Sequence, residues 1–207
     1  MNPSTSEWRY ERKFIASDDV PTVRDMVRQL SFRQVNPPRW INNVYFDTTD
    51  LDDFSSTVEG ISDRKKTRIR WYGSEFQGAR LEEKAKQQLL SRKTIDSTHH
   101  ASISEWIAAS PPPLKGRRAI LFNRYYRHYF AIGNVRLTID EKLHYRPVDS
   151  HGEGRGKPLP FSDECVIELK YAPGDEISTL TTAIPYRLSR NSKYRNGVLL
   201  LMSLGLL

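Results

Sequence analysis

Polar and apolar side chains alternate with a period of two over residues 8–15, 42–47, 65–72, 79–86, 123–132, 134–145 and 164–171. Each stretch predicts a strand with one buried face. Gly133-Asn134 between two of them is a compact turn, which makes residues 123–132 and 135–142 an antiparallel hairpin. The sheet as a whole is expected to run as a meander. The period changes after Asp18-Asp19. There Val23, Met26, Val27 and Leu30 recur at helical spacing, the aspartates can cap the first amides and Pro21 fits the first turn. Further helices are predicted over 102–109, stopping before Pro111-Pro112-Pro113, and over 175–188, where Pro185 kinks or ends the helix. The last runs from near Ser192 to the C-terminus, with the apolar run 198–207 as core. Residues 146–161, rich in Gly, Pro and charge and without a period, read as a mobile loop. No internal repeat is visible.

The polar faces of the strands are unusual in what they hold. In Lys66-Thr67-Arg68-Ile69-Arg70-Trp71 the three basic side chains share one face and Thr67, Ile69 and Trp71 the other. Same-face neighbours sit roughly 7 Å apart and repel by about 2 kcal/mol at an effective dielectric near 20, unless an anion or carboxylate lies between them. One such strand is an ordinary solvated face, but the pattern recurs. It appears as Arg9, Glu11 and Lys13; Glu82, Lys84 and Lys86; Tyr125, Arg127 and Tyr129; Arg136, Thr138 and Asp140; and Glu168 and Lys170. The opposite faces are apolar, as in Val135, Leu137 and Ile139 or Ile167, Leu169 and Tyr171. Helices with apolar stripes must cover those faces, so the charged faces are expected to converge inside a sheet curled into a ligand-holding barrel. The expected fold is therefore α+β, a closed antiparallel β-tunnel with helices packed outside.

Length and charge narrow the reading. A chain of 207 residues suits a single domain, 1–207. A formal charge of +7 and a pI near 9.5 point to an anionic partner. A lumen with many Arg and Lys and fewer carboxylates fits a polyphosphorylated anion bridged by a hard cation, Mg²⁺ or Mn²⁺. Glu11, Asp140 and Glu168 are the candidate metal ligands. Glu82 and Asp47 are candidates to orient neighbouring Arg or Lys. The single cysteine, Cys165, excludes an internal disulfide framework and a Cys-based zinc site and falls on the apolar phase of its strand, as a core residue. Without a basic flank and apolar stretch at the N-terminus, or an apolar run long enough to span a bilayer, the cytoplasm is expected.

These motifs, in order and in strand phase, resemble the VTC domain of polyphosphate polymerases, within the triphosphate tunnel metalloenzymes (CYTH-like). The resemblance is carried by Tyr10-Glu11-Arg12-Lys13-Phe14, Val44-Tyr45-Phe46-Asp47, residues 66–72, Leu81-Glu82-Glu83-Lys84, Tyr126-Arg127, residues 136–140, residues 166–170 and Ser192-Lys193-Tyr194. It implies an eight-stranded tunnel in which Lys13, Arg68, Arg70, Lys84, Arg127 and Arg136 grip phosphates and Glu168 binds the metal. Lys66 and Lys170 share faces with these residues. It further implies that Ser192 and Lys193 form a phosphate-binding pair at a helix start, with Arg190 as a further basic contact. The implied reaction moves the terminal phosphoryl of ATP onto inorganic polyphosphate, with a separate membrane protein as a possible partner.

Several features are set aside. Gly152-Glu153-Gly154-Arg155-Gly156-Lys157 lacks the spacing of a phosphate loop, and its Lys precedes Pro158. His99-His100, His144 and His151 lack companion ligands for zinc. A nucleic-acid groove would suit basic strands interleaved with Trp71, Tyr72, Tyr125, Tyr126 and Tyr129, but Glu11, Glu82, Asp140 and Glu168 on the same faces would repel a nucleic-acid backbone. A triphosphatase and a non-catalytic polyphosphate sensor would use the same residues as the polymerase.

Overall fold

The alternation resolves into eleven strands of one sheet in the computed structural model, which describes residues 4–207. They are β1 (Ser4–Thr5), β2 (Arg9–Ala16), β3 (Arg33–Asp47), β4 (Arg64–Tyr72), β5 (Arg80–Gln87), β6 (Leu90–Asp96), β7 (Arg118–Ile132), β8 (Val135–Pro147), β9 (Leu159–Pro160), β10 (Cys165–Tyr171) and β11 (Arg187–Ser189). The order β6-β5-β4-β3-β7-β8-β10-β2 closes on itself where β2 pairs with β6, Arg9 opposite Ser91 and Tyr10 opposite Leu90. The result is a closed eight-stranded antiparallel barrel. The short strands β1, β9 and β11 add to β6, β8 and β2.

The outward faces are apolar and covered. Helix α1 (Val20–Gln29), capped by the Asp19 carboxylate accepting from the Thr22 amide, lays Val23 and Val27 on Phe14, Leu137, Ile139, Ile167 and Leu169. Ile177 and Ile184, flanking the short α4 (Ser178–Ala183), join this cluster. Helix α3 (Ile103–Ala109), capped by Ser102, buries Ile103 and Trp106 against Val44, Phe46, Ile69 and Leu81. Each such aliphatic side chain stabilises the fold by roughly 1.5–3 kcal/mol on burial. Helix α5 (Lys193–Ser203) behaves differently: Tyr194, Val198 and Leu201 pack on Ile41, Tyr45, Leu121 and Tyr145, which continue the inward phase of β3, β7 and β8. The inner wall is apolar there, and α5 fills that end of the barrel.

The structure departs from the sequence expectations at identifiable places. The meander holds within β3-β4-β5-β6 and within β7-β8-β10 but not across them, because β7 pairs with β3 and β2 returns to sit between β10 and β6. Strand β3 starts earlier than expected; it absorbs Pro37-Pro38 with register shifts between Gln34, Asn36 and Arg39, where bulges relieve the missing ladder donors. The helix expected over 175–188 is only α4. Ile184, the residue before Pro185, is extended, and the chain re-enters the sheet as β11. Helix α2 (Asp52–Glu59) was not foreseen from its polar sequence; the amides of Asp53 and Phe54 donate to the Asp47 carboxylate at 3.0 Å each. The segment 146–161 carries structure of its own that the sequence did not reveal: Val148 bridges Gly154, the Asp149 carboxylate accepts from the His151 and Glu153 amides, and β9 pairs with β8. The C-terminal leucines are only partly core. Val198 and Leu201 are buried, while Leu199, Met202, Leu204, Leu206 and Leu207 are exposed.

Candidate functional site

The ladder register decides which side chains meet inside the barrel. Lys66 pairs with Lys84 and Arg68 with Glu82 across β4 and β5, Lys13 with Glu168 across β2 and β10, and Arg127 with Asp140 across β7 and β8. All have the inward phase, so the walls place Lys13, Lys66, Arg68, Arg70, Lys84, Arg127 and Lys170 with Glu11, Glu82, Asp140 and Glu168 in one lumen. The N-terminus of α5 adds Ser192 and Lys193 from the filled end: the Ser192 hydroxyl accepts from Lys66 at 2.7 Å and Lys193 lies 2.5 Å from Asp140. The helix is oriented by Tyr145, whose hydroxyl donates to the Lys193 carbonyl at 2.8 Å, and by the Tyr194 hydroxyl donating to Asp47.

Each carboxylate is a hub for cations. Glu82, only 1% exposed, accepts from Arg68 at 2.7 and 2.9 Å and from Lys93 at 3.0 Å, with Arg70 at 3.8 Å. Asp140 takes the forked guanidinium of Arg127 at 2.5 and 2.7 Å together with Lys193. Glu168 faces Arg127 at 3.4 Å, Lys170 at 3.6 Å and Lys13 at 4.0 Å. Glu11 holds Lys84 at 2.5 Å and Lys170 at 3.8 Å. Neutral acceptors complete the lining: Arg70 donates to Asn43 at 2.8 Å and to the Tyr125 hydroxyl at 2.9 Å, and Arg68 to the Tyr45 hydroxyl at 3.2 Å.

Cations outnumber carboxylates, and the electrostatics follow. Burial pushes the Glu11 carboxyl up, but Lys84, Lys170 and Lys13 outweigh it and hold it at about 2. Burial likewise opposes ionisation of Asp140, and Arg127 and Lys193 bring it down to about 2. Glu168 and Glu82 are held well below the usual carboxylate range against the same burial, the first chiefly by Lys170 and Lys13, the second by Arg70 and Arg68. Lys66 goes the other way. Burial, then the charges of Lys13 and Lys84, hold its amine well below its ordinary value of 10.5, and its one hydrogen-bond partner is a hydroxyl. The lumen thus carries an ionised, under-neutralised cationic surface whose missing counter-charge is an anion.

Three sequence candidates lie elsewhere. Asp47, fully buried, orients no lumen cation; it caps α2 and anchors Tyr194 of α5, a structural role. Arg190 is exposed and sits beside Arg64, whose charge reaches Lys66, at the edge of the charged cluster. Arg136 has the inward phase, opposite Lys170, but sits at the start of β8, where it is exposed. Sequence reasoning missed Lys93, because Arg92-Lys93 in succession blurs the period of β6, and the lining amides Asn43 and Asn123, which hydrogen-bond to each other at 2.7 Å.

The carboxylates were tested as a cation site. Among the described residues no three acidic, His or Cys side chains converge on one point. Glu11 and Glu168 are nevertheless close enough that the Glu168 charge raises the Glu11 pKa. The two carboxylates offer hard oxygen atoms of the kind a divalent cation takes. Asp140 is taken up by Arg127 and Lys193 and is better suited to positioning them.

Comparison with solved structures places the fold among known barrels. The PH1819 protein from Pyrococcus horikoshii matches with a TM-score of 0.58 at 15% identity, over 94% of this chain and 99% of that one. The protein bh2851 from Bacillus halodurans, provisionally described as an adenylate cyclase, matches with a TM-score of 0.56 at 14% identity, over 92% and 98%. HpAC1 from Hippeastrum, described as having a dominant triphosphatase activity, matches with 0.51 at 15% identity, over 98% and 97%. At these identities the likeness is one of fold. Comparison with curated proteins gives no match. The family model of the VTC domain matches residues 8–118, more than half of the 207 residues, and takes in β2 to β6 with Glu11, Lys13, Arg68, Arg70, Glu82 and Lys84. This chain belongs to the VTC domain family, with the triphosphate tunnel fold.

Proposed function

We propose that the protein is a phosphoryl-transfer enzyme that moves the terminal phosphoryl group of ATP onto inorganic polyphosphate inside the tunnel. The observation that supports this most is the set of nine inward cations, Lys13, Lys66, Arg68, Arg70, Lys84, Lys93, Arg127, Lys170 and Lys193, facing four carboxylates. A triphosphate or a longer chain supplies the missing negative charge. The guanidinium groups of Arg68, Arg70 and Arg127 are locked in orientation by Glu82, Asn43 and Asp140, and so offer donors to phosphate oxygens without reorganising. Glu11 and Glu168 would hold Mg²⁺ or Mn²⁺, which when bound supplies charge neutralisation and a template for the phosphate oxygens. Ser192 and the amides at the start of α5 add neutral donors at the filled end.

Acceptor choice follows from basicity. A terminal phosphate of polyphosphate arrives ionised and needs no base, whereas water must lose a proton. The four carboxylates are weak bases because their cationic neighbours hold their pKa values low, and an anion beside Lys66 would raise its pKa and keep the amine protonated. The second reading, a triphosphatase using water in the same tunnel, is favoured by the activity described for HpAC1. A nucleic-acid role is not proposed, since the cations face inward in a closed barrel.

Incubating the protein with ATP and Mn²⁺ or Mg²⁺ and following ADP, free phosphate and long chains on a gel tests the proposal. Long chains with stoichiometric ADP are expected. Free phosphate alone would replace it with the triphosphatase, and tight triphosphate binding without turnover with a sensor. Glu168→Gln should lower turnover far more than triphosphate affinity; full activity in that variant rejects Glu168 as the metal ligand.

A further inference from the structure

On the outer wall of the barrel, behind the strands that present Arg70 and Tyr125 to the lumen, a cleft of about 290 Å³ opens between β4, β7, β8 and α3. Its sides are the outward residues Trp71 and Phe122, with Phe76 and Ile103, and the turn at Glu153 closes it. Trp71 packs against Phe76 at 4.9 Å and Phe122 at 5.9 Å, yet all three rings remain only half-buried. The turn is drawn in by two glycines: a Cβ at Gly152 would meet Ile103 at 2.3 Å, and one at Gly154 would meet Arg146 at 3.2 Å. The Gly-rich segment rejected as a phosphate loop is therefore a wall of a different pocket.

The charge on this wall is unbalanced. Arg146 lines the cleft, opposite Phe122 in the β7–β8 ladder, and Arg124, one outward position along β7, feels its charge. Neither forms an ion pair among the described residues. The Arg124 guanidinium carbon sits 4.3 Å from the Trp40 ring centre, and its Nε is buried without a hydrogen-bond partner among the described residues. Glu153, on the same cleft, pairs with neither arginine.

We propose that this cleft binds a nucleoside monophosphate, independently of whatever occupies the tunnel. The ring would stack on the half-exposed Trp71 and Phe122, the phosphate would take the unpaired guanidinium donors of Arg146, with the neighbouring Arg124 adding positive charge from outside the cleft, and the Glu153 carboxylate would accept from ribose hydroxyls. At about 290 Å³ the cleft lies at the small end of ligand pockets, a size that suits at most one nucleotide and excludes a dinucleotide. Inorganic phosphate would leave the aromatic wall uncovered.

The test is calorimetric titration with AMP of the wild-type chain, Arg146→Gln, Arg124→Gln and the lumen variant Arg68→Ala. Charge-assisted bonds to phosphate lead us to expect AMP affinity to fall by about tenfold in Arg146→Gln, by less in Arg124→Gln, which removes only a neighbouring charge, and to hold in Arg68→Ala. Ribose 5-phosphate should bind at least about tenfold more weakly than AMP, because it lacks the stacking ring. The indole N–H resonance of Trp71, assigned through Trp71→Phe, should shift with AMP in the folded wild type. AMP binding that is lost in Arg68→Ala but kept in Arg146→Gln, no saturable binding at millimolar AMP, or equal binding of ribose 5-phosphate would overturn the proposal. Loss of polymerase or triphosphatase turnover would not bear on it, since AMP binding is read directly.

Discussion

Arg68 and Lys66 are two residues apart on β4 and do opposite things. Arg68 shares Glu82 with Arg70 and Lys93, so its removal leaves that carboxylate still paired. Arg68→Ala should keep its melting temperature and lose tripolyphosphate affinity by about 10–100-fold, the worth of one or two charge-assisted bonds; unchanged affinity in a titration would reject the assignment. Lys66 has no carboxylate among its described partners, and its amine is held below 10.5. Between that lowered value and 10.5, anion binding must draw a proton onto it. Calorimetry in buffers of different ionisation enthalpy should show uptake of up to about one proton, absent in Lys66→Met. Both residues were legible in the sequence because Lys66, Arg68 and Arg70 alternate with Thr67, Ile69 and Trp71. Lys93 was not, because its neighbour Arg92 breaks the pattern, and Asp47, a candidate to orient a basic neighbour, lies 4.0 Å from Arg117 and otherwise holds backbone amides and Tyr194.

The elements that position the site were unequally readable. Strands β2, β4, β5, β7, β8 and β10 followed from alternation, and α1 from its cap and stripe. Helix α2 and strand β11 were hidden, since one depends on the buried Asp47 and the other on an edge of β2 left open by β6. Helix α5 was expected as a core helix, and its inner face is one, but its packing is closer than its leucines suggested. A Cβ at Gly197 would meet Tyr145 at 2.5 Å and Leu121 at 3.0 Å. Gly197→Ala should lower stability by about 1–3 kcal/mol in denaturant unfolding and weaken triphosphate binding together, because displacing α5 moves Ser192 and Lys193. Tyr194→Phe, which removes the bond to Asp47, should cost about 1.5–3 kcal/mol while leaving the helix in the barrel; a neutral result in the same assay would show that the bond is dispensable.

For the whole molecule, stability and function draw on the same ions. The Glu11 and Asp140 carboxyls sit at about 2 in the fold against ordinary values of 4.5 and 3.8. Their stabilisation is therefore complete above about 4.5 and lost as the pH falls toward 2. Acid unfolding monitored by circular dichroism should fall in that window, and Asp140→Asn should flatten it. The seam of the barrel makes the link mechanical. Strands β2 and β6 are laced by two residue pairs, whereas β2 and β10 share seven, and beyond Tyr10 the gap is spanned from inside by Lys84 gripping Glu11. On the proposed metal role of Glu11, a cation that claims this carboxylate would also unfasten the clasp, and the barrel's girth would change with its cargo.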